Sequence, residues 1–232
     1  MTAQEFKVLS NQLAIVAPGI PLQWGNIQND DTDSQIKMFA CNTFDELEAT
    51  LSGKSEDIKN YFKKRWFLWK CAQCDEYLFY KHNSVQRNPN GKNQDWDIQF
   101  FNNEALRFDL KGTVVPKKMR EQANIDDKKI INFFYNKQSR GIRDNIQNRL
   151  FVIHMPFKLE NENVLRANFQ AKAIIYNNYI KELRRKQNPI FFNYEKKLVD
   201  IIYIKEHQDN TVDYEFAASS IDKKIVFSYN TV

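Results

Sequence analysis

"DWDIQFFNNEALRFDLKGTVV", residues 95–115, is the stretch on which the fold turns. From Asp95 to Phe100 polar and apolar side chains alternate, which predicts a strand. "NNE" (102–104) predicts a tight turn, and "ALRFDLKGTVV" (105–115) a second strand that Pro116 ends. Together they predict a β-hairpin. Alternation places Asp97, Gln99 and Phe101 on one face of the first strand. In the second strand Asp109 and Lys111 share a face, and Phe108 and Leu110 take the other. When the two polar faces coincide, two carboxylates and an ammonium converge.

Helices and further strands surround this hairpin. Thr43 and Glu46 have capping-box spacing, with Leu47 and Leu51 following on one face. A second helix is expected after Ser55, because Glu56 and Asp57 suit a first turn. Ile58, Phe62, Trp66 and Trp69 make its buried stripe, and it is expected to continue through "CAQCDEYLFYK". Residues 82–94, "HNSVQRNPNGKNQ", read as a loop. Beyond the hairpin, Asn124 is a candidate cap for a helix carrying Ile130, Phe133 and Phe134. "RLFVIHM" (149–155) is short and almost continuously apolar, as a strand buried on both faces is. One helix is expected over 162–183 on the stripe Leu165, Phe169, Ala173, Tyr176, Ile180 and Leu183. "LVDIIYI", "VDYEFAA" and "KKIVFSY" read as closing strands. This order predicts an α/β protein with a mixed central β-sheet flanked by helices.

The 42% apolar content and 18 phenylalanines suit a packed core and argue against disorder. No basic stretch leads into a long apolar run, and none reaches the ~18 residues of a membrane helix. Neither a secretory leader nor a membrane anchor is expected. Cys41, Cys71 and Cys74 are too few for a disulfide framework, so a cytoplasmic location is expected. The net charge of +5 is uneven. Residues 1–55 hold three Lys and seven acids, whereas residues 117–149 hold nine Lys/Arg and four acids. A basic region of this kind is compatible with a polyanionic partner.

Two carboxylates brought together repel, and each loses water. A divalent cation relieves both costs, and oxygen ligands favour Mg²⁺ or Mn²⁺. Such an ion polarises a phosphoryl oxygen and acidifies a bound water. Lys111 is then placed to orient that water and to stabilise charge developing on phosphorus.

Asp97, an eleven-residue gap, and Asp109-Leu110-Lys111 resemble the active-site signature of the PD-(D/E)XK nuclease superfamily, whose fold is restriction-endonuclease-like. Members carry an acid on one strand and acid-x-lysine on the next, with a helix ahead and another behind. The resemblance spans residues from about 56 to 156. It implies metal ligation by Asp97, Asp109 and the Leu110 backbone carbonyl, with Lys111 as the third catalytic residue. It also implies phosphodiester hydrolysis, DNA as substrate in preference to RNA, a type II restriction enzyme as one identity, and a homodimer able to cut two strands. Residues 1–55 are then a helical or irregular elaboration packed on a nuclease-like domain over 56–232. Trp96 stands where the namesake proline often does. Asp95 is an alternative first acid on the same face. Some members add an acid from the first helix, for which Glu46, Glu48, Glu56, Asp75 and Glu76 are candidates. Replacing Asp109 by Asn is expected to abolish cleavage while largely preserving folding.

Lys117, Lys118 and Arg120 follow at once and are candidates for phosphate contact. Gln99 is a candidate for the metal's water shell. Gly112 suits close approach of DNA or a bulge. Cys71-Ala-Gln-Cys74 with His82 lacks a second ligand pair for zinc. His154 reads as a core histidine. Gln170 and Tyr176 are faint candidates for polar helix residues that assist some nucleases. The rival readings are a non-catalytic nucleic-acid-binding protein of the same fold, or an interaction protein whose hairpin is purely structural.

Overall fold

The architecture is taken from a computed structural model that describes residues 1–26, 30–90, 95–116, 119–120, 126–138, 147–185 and 191–217. The chain divides into two compact units, Met1–Tyr77 with Lys158–Phe169, and Leu78–Phe157 with Gln170–Val232. Residue 55, where a domain boundary is expected, lies within the first unit.

The first unit is helical in its described residues. Helix α1 (Ala3–Val16) opens on a capping box of Thr2 and Glu5. A short α2 (Asp30–Asp33) follows, then α3 (Phe44–Thr50), whose Thr43/Glu46 capping box forms as expected. The long α4 (Glu56–Tyr80) belongs to this unit as far as Tyr77. Tyr61, Phe62, Trp66 and Phe67 are buried along it, and the Trp66 indole donates to the Cys41 carbonyl at 3.0 Å. Helix α6 (Glu162–Arg166) completes the unit, its Asn163 side chain donating to the Ile20 carbonyl at 2.8 Å.

The second unit is a mixed seven-stranded sheet, among the described residues, with helices packed on it. Strands β1 (Val85–Arg87), β2 (Ile98–Phe100) and β3 (Arg107–Val114) form an antiparallel meander. Helix α5 (Asp127–Gln138) then carries the chain to β4 (Arg149–Met155), which runs parallel to β3. Helix α7 (Phe169–Arg185) leads to β5 (Phe192–Tyr194), β6 (Lys197–Glu206) and β7 (Val212–Phe216). Strand β6 lies parallel to β4 and antiparallel to both β5 and β7.

Each face of the sheet has its own cover. Ile130, Ile131, Phe134 and Tyr135 of α5 pack on Phe151 and Ile153 of β4 and on Val199, Ile201 and Tyr203 of β6. On the opposite face Tyr176 of α7 stacks on Phe79 at 4.3 Å, and Tyr179 meets Phe100 and Phe216 edge-on. The Tyr179 hydroxyl donates to buried Asp200 at 2.8 Å. Parallel strands covered on both sides need apolar residues at nearly every position, as β4 has.

Several elements differ from expectation. The stretch read as a loop over 82–94 contains β1, of which only Val85 is buried, so periodicity had little to register. The helix expected over 162–183 is two helices, because the chain leaves helical geometry at Ala167–Asn168. The hairpin turns one residue early: Phe101 and Asn102 both take positive φ (54° and 56°), and a 3-10 turn, Glu104–Leu106, completes the connection to β3. Asp126 caps α5 through the Lys128 and Lys129 amides, whereas Asn124 lies outside the described residues, as does "KKIVFSY".

Candidate active site

The meander brings the two acids together. Asp97, just ahead of β2, donates its N–H to the Phe108 carbonyl at 2.9 Å. Its Oδ2 accepts the Leu110 N–H at 2.7 Å. That amide belongs to the residue after Asp109, which brings the Asp97 carboxyl beside Asp109. Lys111 Nζ sits 2.7 Å from Asp109 Oδ1, with Asp109 buried and Lys111 about a third exposed. A strand residue turns its N–H and C=O to the same side, so the Leu110 carbonyl also faces Asp97. Asp97, Asp109, Lys111 and Leu110 therefore lie together on adjoining strands.

Burial pushes the Asp97 carboxyl up to about 6, and the charge of Asp109 pushes it the same way. The Leu110 N–H and Lys111 oppose that rise without cancelling it. Two carboxylates and one carbonyl fit the habit of Mg²⁺, which takes one or two carboxylates and fills its octahedron with water and phosphate oxygens. Among the described residues no group of three or more His, Cys, Asp or Glu gathers as a metal site.

One residue of the site escaped the sequence reading. In the β3–β4 ladder Asp109 stands beside Arg149, on the same face. Arg149 Nε lies 3.4 Å from Asp109 Oδ2, and both side chains are almost wholly buried. The guanidinium lies over the Tyr135 ring, 4.7 Å from its centroid, and the Tyr135 hydroxyl donates to the Gln147 carbonyl at 2.9 Å. Asn148 staples the strands around it. Its carbonyl accepts the Asp109 N–H, its amide donates to the Arg107 and Ala105 carbonyls, and its Oδ1 accepts the Leu198 N–H. A charged residue heading the apolar run "RLFVIHM" was the available signal.

The secondary candidates fare differently. The Gln99 amide is engaged by Gln86 at 3.0 Å and Arg107 at 2.7 Å, a cross-strand row rather than a water-shell contact. Gly112 is exposed in an unbroken ladder, so it marks no bulge there. Asp95 is exposed and accepts from Gln147 at 3.4 Å. Arg120 is exposed, with its Nε donating to the Val115 carbonyl at 2.7 Å. Lys117 and Lys118 lie outside the described residues. Buried His154 donates from Nδ1 to the Thr113 carbonyl at 3.0 Å. Tyr176 is packed in the core, whereas Gln170 is exposed. Cys71 and Cys74 are buried in α4 and form no disulfide among the described residues.

The acids of the first unit have local work. Glu46 caps α3, Glu48 pairs with Lys63 at 2.5 Å and Glu56 with Lys59 at 2.8 Å. Asp75 is buried and Glu76 half-buried on α4. No helix among the described residues is long and apolar enough to cross a membrane.

The chain has no match among protein-family models, curated proteins or solved structures. Its chemistry is therefore argued from the site alone.

Proposed function

We propose that this protein is a metal-dependent endonuclease of the PD-(D/E)XK type, hydrolysing phosphodiester bonds, with DNA preferred to RNA. The observation that carries the reading is the hold of the Asp97 carboxylate on the Leu110 N–H at 2.7 Å, beside Asp109, with Lys111 2.7 Å from Asp109. Holding two like charges together in a largely buried place costs stability, and a fold that accepts the cost has a use for it. Element order lends further support: α4 precedes the acid beside β2, Asp-x-Lys lies on β3, and α5 follows.

Asp97, Asp109 and the Leu110 carbonyl are the residues that would hold Mg²⁺ or Mn²⁺. Once bound, such an ion supplies Lewis acidity toward a phosphoryl oxygen and lowers the pKa of water. Lys111 orients the attacking water and offsets the negative charge growing on the phosphoryl oxygens. A new bond from the water oxygen to phosphorus forms as the bond to the leaving oxygen breaks.

One observation favours a second reading, a non-catalytic nucleic-acid-binding or interaction protein on this fold. Lys111 and Arg149 together already neutralise Asp109, as they would in a purely structural cluster. Cleavage separates the two. With Mg²⁺ the protein is expected to cut a mixed-sequence DNA library and to stop on addition of EDTA. Asp97→Asn should abolish the cut. Lys111→Ala should slow it by about 10²–10³-fold. Wild-type cleavage that persists in Asp97→Asn removes Asp97 from the metal site. No cleavage, together with Mn²⁺ binding that is identical in wild type and Asp97→Asn, would leave the hairpin structural.

A further inference from the structure

Asp109 meets a cation on each oxygen, Lys111 at Oδ1 and Arg149 at Oδ2. With both acids ionised, the charges of Asp97, Asp109, Lys111 and Arg149 cancel. A divalent cation entering this set finds no net negative charge to draw it, and two positive neighbours close by in a medium that screens them poorly. Once there, it leaves a net charge of +2 in a largely buried place, which favours an accompanying anion. Arg149 is one of those positive neighbours. It is 5% exposed, with Nε and Nη1 wholly buried and Nε 3.4 Å from Asp109 Oδ2. The Tyr135 ring holds the guanidinium in place. Its charge therefore acts on an incoming cation with little screening by water, and a phosphodiester arriving with that cation offsets it.

We propose that Arg149 is a positioning residue that makes the carboxylate pair bind a divalent cation weakly alone and strongly together with a phosphodiester. The inference rests on the metal site assigned to Asp97 and Asp109 in the preceding section. Its consequence is that metal and substrate each raise the other's affinity by the same factor, as linkage demands. Lys111 cannot serve in the same way, because its partly exposed ammonium is screened by water.

The test is a titration of Mn²⁺, followed by calorimetry and by the paramagnetic resonance signal of free Mn²⁺, with and without diethyl phosphate, a phosphodiester monoanion. Wild type is expected to bind Mn²⁺ more tightly when diethyl phosphate is present. Arg149→Met keeps the volume and removes the charge, so it should bind Mn²⁺ alone roughly tenfold more tightly than wild type. It should also lose the effect of diethyl phosphate. Arg149→Lys, which retains a cation, should resemble wild type. Near-UV circular dichroism checks that each variant folds, and Arg149→Gln is the second neutral variant if Arg149→Met does not. Equal or weaker Mn²⁺ affinity in a folded neutral variant overturns the inference while the metal site stands. So does wild-type affinity that diethyl phosphate leaves unchanged. If wild type and all variants bind no more Mn²⁺ than Asp97→Asn/Asp109→Asn, the metal site itself is wrong, and the role of Arg149 falls with it.

Discussion

Asp97 and Asp109 carry the same charge and stand side by side, yet the fold treats them oppositely. Asp109 has two cations against it, whereas Asp97 has one backbone N–H and the negative charge of Asp109. With a chelator present at neutral pH, Asp97→Asn should therefore stabilise the protein by about 1–3 kcal/mol, because it removes a carboxylate whose ionisation burial disfavours. Asp109→Asn should destabilise it by about 3 kcal/mol or more, because it leaves Arg149 buried without a counter-ion. Denaturant titration reads both, and shifts of the same sign would show that the two acids are electrostatically equivalent. The sequence alone makes Asp109→Asn look like a mild isosteric change; Arg149 makes Asp97→Asn the gentler probe. Asp97, Asp109 and Lys111 were legible because strand alternation is a local property. Arg149 was not, because its partner stands across a parallel ladder that no neighbouring residue encodes.

At the scale of elements, legibility followed how much apolar surface each one buries. Strand β4 and helix α3 declare themselves by continuous burial and a capping box. Strand β1 buries one residue of three and gives almost no signal. The stripe from Leu165 to Leu183 crosses the break between α6 and α7 in phase, which hid the break. The tie between α5 and β6 offers a test of its own. Asp127, the first residue of α5, accepts the Tyr203 hydroxyl of β6, and burial raises its pKa above the ordinary carboxylate value. Its folded state therefore holds a proton more tightly than its unfolded state does. Stability from this group is fully present below the ordinary carboxylate value and is lost as pH rises through the higher folded one. Asp127→Asn still offers Tyr203 an acceptor, so thermal melts of this variant should fall less over that window than those of wild type. Parallel pH profiles would show that the burial of Asp127 costs nothing.

At the scale of the molecule, the net charge of +5 hides an acidic N-terminal stretch and a basic middle one. If the basic stretch meets a nucleic-acid backbone, affinity falls with salt as each phosphate contact displaces counterions. Exposed Arg120, fixed through Nε to the Val115 carbonyl, lies in that stretch. Arg120→Ala should weaken binding of any duplex about equally and reduce the slope of log K against log salt by about 1. An unchanged slope, measured by fluorescence anisotropy, would place Arg120 outside the interface. The connection between β3 and β4 has a bearing of another kind, on timing. The antiparallel hairpin of β2 and β3 is local and can close early, whereas Asp109 meets Arg149 only after α5 has carried the chain across and the parallel ladder has closed. During folding there is thus an interval in which the two acids are neighbours and Arg149 has not arrived. On this order the site becomes electrically neutral only when β4 docks on β3, and an opening that peels β4 away is enough to undo it.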